Sequence, residues 1–163
     1  MIVVSGGQTG VDRAALKAAV ALGLAHGGWV PRDGWAEDQP QPPGICADYP
    51  ELKPTPSADP VERTEWNVRD SDRTLILVSP GGLAASPGTA ATLRFARCLG
   101  RPALVVPVDA VDAAGRIAAW LPGATSALVL NVAGPRESEA PGIQAAAEAI
   151  LRHALTRYAM TAR

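Results

Sequence analysis

Along the chain, short continuous apolar runs alternate with longer segments in which alanine, leucine and valine recur at helical spacing. The runs at Ile2–Ser5, Gly28–Val30, Thr74–Ser79, Ala103–Val108 and Ala127–Val132 read as strands, and their unbroken apolar character suits strands covered on both faces. Between them the periodicity predicts helices over Val11–Leu22, Val61–Asp70, Thr89–Leu99, Asp112–Leu121 and Gly142–Tyr158. In the first, Val11, Ala14, Ala15, Ala18 and Leu22 share an arc of mostly small side chains that permits close approach to a sheet. In the last, Ile143, Ala147, Ile150, Ala154 and Tyr158 form one stripe. In the second, Val61, Thr64 and Val68 mark the face expected to be buried, while Arg63, Asn67 and Asp70 share another. Such alternation predicts the α/β class: a single doubly wound Rossmann-like domain, residues 1–163, around a mostly parallel sheet of five or more strands.

One stretch breaks the pattern. Pro31–Pro60 holds eight of the 15 prolines, few apolar residues and no periodicity. Long irregular segments inside compact domains are either functional or disordered. Its prolines reduce the entropy lost on ordering, which favours an ordered excursion forming a wall or lid. Composition narrows the picture further. At 4% aromatic residues the core must be aliphatic and alanine-rich. A net charge of −1 excludes a partner bound through a basic stripe, as nucleic acid is. Lys17 and Lys53 are the two lysines, so the cationic inventory is chiefly arginine, the residue suited to bidentate contact with oxyanions. No run reaches about 18 uncharged apolar residues, and no basic segment precedes the first apolar run, so a cytoplasmic protein without a membrane span is expected. Cys46 and Cys98 fit no metal-ligand spacing and read as reduced thiols.

The candidate chemistry sits in three turns that follow strands. The first is Ser5-Gly6-Gly7-Gln8-Thr9-Gly10-Val11-Asp12-Arg13, where glycines allow close backbone approach and the amides at the start of the next helix favour an anion. It lacks the Gly-Lys-Ser/Thr of a Walker loop and the GxGxxG spacing; the alternative is a tight turn with Thr9 as N-cap. The second, Ser79-Pro80-Gly81-Gly82, runs on to Pro87-Gly88-Thr89, with Thr89 as the expected N-cap. The third, Asn131 to Ser138, carries Arg136 and Glu137, which either complete a pocket or pair with each other. The Arg63/Asn67 helix face either borders these turns or is a solvated surface. His26 and His153 are isolated, and no catalytic triad or zinc spacing is legible. Asp12, Glu62, Asp70 and Asp72 would serve Mg²⁺ or a general base only if folding gathers them.

The first turn, the block Arg63-Thr-Glu-Trp-Asn-Val-Arg-Asp-Ser-Asp72, Gly88-Thr89 and Asn131-Val-Ala-Gly-Pro-Arg-Glu-Ser138 together resemble the molybdenum cofactor carrier family over nearly the whole chain. That family is Rossmann-like and related to the LOG-type, lysine-decarboxylase-like nucleotide phosphoribohydrolases. The resemblance implies binding of molybdenum cofactor or a molybdate-like oxyanion. It also implies a homo-oligomer (dimer or tetramer), with molybdoenzymes or cofactor-biosynthesis proteins as partners. It assigns ligand binding to Gly6, Gly7, Gln8, Thr9, Gly10, Asp12 and Arg13 in the first block, Arg63 and Asn67 in the second, and Gly88, Thr89 and Arg136 beyond. Two departures matter. Pro87 stands where the family usually has glycine, removing an amide donor. The glutamate that closely follows Gly-Thr in LOG-type enzymes is absent, since Ala90-Ala91-Thr92-Leu93 follows here. A binding protein without catalytic residues is therefore the first reading; a nucleotide-hydrolysing enzyme or nucleotide sensor is the alternative. With so few aromatics, a pterin ring would be held mainly by backbone and arginine, Trp29, Trp35 and Trp66 being the exceptions.

Overall fold

The computed structural model describes residues 1–124 and 127–161. Six strands, β1 (Ile2–Val4), β2 (Ala25–Val30), β3 (Leu52–Pro54), β4 (Arg73–Val78), β5 (Ala103–Pro107) and β6 (Val129–Ala133), form one sheet in the order β3-β2-β1-β6-β4-β5. Every pairing in it is parallel. Four helices connect strands, α1 (Val11–Ala21), α2 (Pro60–Arg69), α3 (Pro87–Cys98) and α4 (Ala113–Trp120), and α5 (Ile143–Thr161) follows β6. α1, α4 and α5 pack together as one layer, and α2 packs with α3 as the other, which is the doubly wound α/β architecture expected.

Period-two alternation distributes the strand side chains between the layers. Leu75 and Leu77 of β4, with Val3, Val106, Leu130 and Val132, join the core made with α1, α4 and α5, whose alanines at 14, 15, 18 and 19 let α1 lie close to the sheet. Ile76 and Val78 on the same strand are equally buried. From β1 the chain winds outward through β2 to β3; from β4 it winds the other way to β5; β6 then inserts between β1 and β4. The winding reverses there, so the carboxyl ends of β1, β6 and β4 border the crevice where such sheets bind ligands.

Three local expectations are corrected. β2 begins at Ala25, not Gly28, because its first residues pair in register with Ile2–Val4 of β1 and the sheet partner outweighs weak local propensity. A sixth strand, β3, lies inside the proline-rich segment; it is an edge strand, where proline's missing donor is tolerated. Val61 is half-exposed, and the buried residues of α2 are Asn67 and Val68. The remainder of segment 31–60 folds over the flank of α1, where Leu16, Val30, Ala36, Ile45 and Leu52 form a second small core. No helix among the described residues is long and apolar enough to cross a membrane.

Candidate functional site

The turn after β1 is buried. Gly10 (φ 75°) lies against the third turn: a Cβ there would run into the Pro135 carbonyl oxygen and come within 2.8 Å of the Arg136 carbonyl carbon. The amides expected to face an anion are engaged within the protein. Gly7 N–H donates to Ser5 Oγ (3.4 Å), Gln8 N–H to Asp12 Oδ2 (3.4 Å) and Thr9 N–H to Gln8 Oε1 (3.1 Å). Gly10 N–H donates to Gln144 Oε1 (3.2 Å) and Val11 N–H to the Pro135 carbonyl (3.2 Å). Gly10, not Thr9, is the N-cap of α1. The turn thus reaches the crevice through two side chains, Gln8 and Asp12.

Asp12 is buried, and its Oδ2 accepts a hydrogen bond from Arg63 Nη1 at 3.0 Å. The guanidinium passes over Gly6, where even a methyl group would collide with it. Desolvation drives the Asp12 carboxyl above its ordinary range, against the opposing pull of Arg63, the Gln8 amide and Arg13. One end of the Arg63 fork is therefore committed, while its Nε is buried without a partner. Arg13 is tied otherwise. It holds Asp38 through two bonds (3.1 and 3.0 Å) and donates to the Gly7 carbonyl, pinning the excursion to α1.

Glu37, also from the excursion, joins three segments. It accepts hydrogen bonds from Thr9 Oγ1 and from Ser138 Oγ (2.7 Å), while its own amide donates to Gln8 Oε1 (2.9 Å). Thr9 Oγ1 in turn accepts from Glu137 N–H. Asn67 stands apart from this cluster. Its side-chain amide accepts from Trp29 N–H and donates to the Trp29 carbonyl, both at 2.8 Å, so it extends the edge of β2 and anchors α2 to the sheet.

At the second turn the N-cap of α3 is Ser86, not Thr89. Ser86 Oγ accepts from Thr89 N–H (3.4 Å) and Thr89 Oγ1 (2.8 Å), and Pro87 occupies the first helical turn, where its missing N–H breaks no helical bond. Gly88 has open space beside its Cα. At the third turn Arg136 and Glu137 do not pair. Glu137 caps α5 by accepting from Gly142 and Gln144 N–H, and the Arg136 guanidinium lies over the Trp35 ring, 5.6 Å from its centroid.

These pieces enclose a crevice of about 100 Å³. Of the residues singled out from sequence, Gln8, Asp12, Arg63, Gly88, Thr89 and Arg136 line it. Gly6 makes room for Arg63, and Gly7 (φ 72°) turns the loop. Thr9, Gly10 and Arg13 brace the wall, and Asn67 belongs to the sheet anchor. Sequence reading missed Ser86 and Glu139, both in the lining; the Ser86-Pro87 pair was the available signal, an N-cap followed by proline at N1. The Glu139 carboxylate accepts from Ser86 Oγ (2.9 Å) and Arg136 N–H (3.0 Å). Its charge opposes an anion in the crevice, so Glu139→Gln should tighten oxyanion binding about threefold or more; unchanged or weaker affinity by calorimetry would contradict this. Among the described residues no three His, Cys, Asp or Glu side chains gather as a metal site. Glu62 accepts from Ser57 N–H, Asp70 from Arg69 and Trp29, and Asp72 from Val129 N–H.

With this geometry in place, relatives give it a context. A family model for circularly permutated YpsA proteins of the SLOG family matches residues 3–155. The chain belongs to that SLOG family. A crystal structure from Syntrophus aciditrophicus, of a protein provisionally named a molybdenum carrier, is 39% identical to this SLOG chain. The match covers 94% of each chain with a TM-score of 0.82. No curated protein matches. The sequence-level resemblance to molybdenum carriers and this structural match therefore agree, and the relative's name describes a carrier, not an enzyme.

Proposed function

We propose that the protein binds and carries a small oxyanion-bearing ligand, molybdenum cofactor or molybdate itself, in the crevice at the carboxyl edge of the sheet. The observation that carries this reading is the Arg63 guanidinium, in the lining of the crevice, held on one side by Asp12 and with its Nε buried without a hydrogen-bond partner. A charged donor without an acceptor in a protein interior costs free energy, and an oxyanion bound there would satisfy it. Arg136, also in the lining, adds a second guanidinium, while the hydroxyls of Ser86, Thr89 and Thr92 are donated to Glu139, Ser86 and the Gly88 carbonyl. A crevice of about 100 Å³ suits a tetrahedral oxyanion or the anionic end of a larger molecule. Homo-oligomer formation and hand-over to molybdoenzymes or cofactor-assembly proteins belong to the same proposal.

Titration calorimetry with molybdate, tungstate and AMP tests it. Arg63→Lys should keep a cation against Asp12 yet lose the planar fork, weakening oxyanion binding about tenfold with only a small change in melting temperature. A wild-type protein that binds no oxyanion would remove the crevice from consideration. Release of free adenine from AMP would replace carriage with nucleotide hydrolysis.

A further inference from the structure

Deepening the homo-oligomer part of that reading, we infer that a second copy of this chain docks on the outer face of β1, β2 and β3, around Ile2 and Trp29. A parallel sheet is normally covered on both faces. The half around β4 meets that condition. Leu75 and Leu77 join the core on one side, and Ile76 and Val78, at 0% and 2% exposure, are buried on the other, where α3 packs. The half around β1 and β2 does not. Val3 is buried in the core with α1, but Ile2, on an interior strand, is 43% exposed. On the same face Val4 is partly exposed, and Ala25, paired in register with Ile2, is exposed. These strands floor a groove of about 300 Å³ whose walls include Trp29, Lys53, Asn67 and Asp70.

Two observations set the occupant. Of the 163 residues, only 125–126 and 162–163 lie outside the described ones. At ~3.6 Å per residue neither pair spans three strands, so the cover comes from another molecule. The charges around the patch are also balanced, Lys53 and Arg69 standing with Glu51 and Asp70. Equal numbers of each sign let the patch meet its own copy without like-charge repulsion, whereas a partner steered by charge would face one dominant sign. The composition points the same way. Trp29 and Trp66 are two of the four tryptophans in an aromatic-poor chain, and neither lines the oxyanion crevice. Both are half-buried and pack edge-to-face, 4.8 Å between centroids, with Lys53 over the first ring and Arg69 over the second. Tryptophan and arginine are enriched at the energetic centres of interfaces. A two-fold axis uses one such patch twice, the commonest way for identical chains to associate. No residue lines both the groove and the crevice, since α2 sends Pro60, Val61, Arg63 and Thr64 to the crevice and Asn67 and Asp70 to the groove. Docking here therefore leaves both crevices open.

Light scattering during size exclusion, with molybdate calorimetry on the same samples, tests this on wild type, Ile2→Glu, Ala25→Arg, Lys53→Glu and Val20→Glu. Wild type should be a dimer or tetramer at about 100 μM. Ile2→Glu and Ala25→Arg should each halve that mass, raising the dissociation constant about tenfold or more. Their circular dichroism should be unchanged and their molybdate affinity within about twofold of wild type, because the crevice is a separate place. Lys53→Glu gives the patch an excess of negative charge, so it should weaken association at low salt and recover it at high salt. Val20→Glu, at an exposed position of α1 in the other helix layer, should leave the mass unchanged. A monomeric wild type at that concentration would overturn the interface, as would a mass unaltered by Ile2→Glu and Ala25→Arg or halved by Val20→Glu alone. A monomer that binds molybdate overturns the interface and leaves carriage standing. An oligomer broken at Ile2 that binds no molybdate keeps the interface and removes the oxyanion reading.

Discussion

Arg63→Ala is expected to lower stability by about 3–5 kcal/mol at neutral pH, in addition to abolishing oxyanion binding. The stability loss comes from the buried ion pair with Asp12. Removing the guanidinium strands Asp12, whose carboxyl lies in the interior with its Oδ2 shared between Arg63 and the Gln8 amide. Burial already holds that carboxyl above its ordinary range, and losing Arg63 raises it further. A carboxyl whose folded-state pKa exceeds its unfolded value stabilises the fold below the unfolded pKa, and that contribution is lost as pH rises through the folded pKa. The variant's deficit should therefore be largest at neutral pH and shrink as acidification protonates Asp12. Adding Asp12→Asn should recover most of the loss, because no buried charge then remains. Urea titrations of the single and double variants read this directly. A deficit that neither depends on pH nor responds to Asp12→Asn would refute the account.

Glu37→Ala is expected to release the proline-rich segment. Glu37 is the point where that segment meets both the first turn, through Thr9, and the third, through Ser138. Burial pushes its carboxyl up, but the hydrogen bonds from Thr9 and Ser138 and the charge of Arg136 outweigh it, so the net shift is downward. A carboxylate held below its unfolded value near 4.5 contributes stability above that pH and loses it as pH falls through the lower folded value. Hydrogen bonds to a charged acceptor are worth about 1.5–3 kcal/mol each, so the variant should lose that order of local stability at neutral pH. Hydrogen exchange should quicken across residues 31–60 and stay unchanged in β4, and in wild type the same loosening should appear only in acid. Unchanged protection over 31–60 would show that the small Leu16–Ile45 core and the Arg13–Asp38 pair hold the segment without Glu37.

The fold was legible where the physics is local. Leu75–Val78 of β4 is an unbroken apolar run because both faces of the sheet are covered there, and the alanine arc of α1 reports its closeness to that sheet. β3 was not, because Leu52-Lys53-Pro54 has no pattern of its own and is a strand only through pairing with Gly28–Val30. The site divides in the same way. Glycines at 6, 7 and 10 marked a tight turn, and Arg63 and Arg136 marked anion chemistry. Which of the turn's amides remained open depended on Gln144, Pro135 and Asp12 arriving from elsewhere in the fold. Asn67 and Arg63 looked equivalent on a helical wheel; only the position of β2 decided that one anchors the sheet while the other faces the crevice.

The insertion of β6 between β1 and β4 has a kinetic consequence. Ile2 must find Val129, and Arg73 must find Leu130, before the two halves of the sheet become one. Pairings this distant in sequence pay their loop-closure entropy early and are rewarded late, which slows folding. Until β6 arrives, β1 and β4 each present an unpaired inner edge, the template on which strands from other molecules pair. The crevice, whose rim needs the ends of β1, β6 and β4 together, is then the last part of the molecule to exist. During synthesis the chain passes through a stage with most of its core sequence in hand and no place to hold an anion.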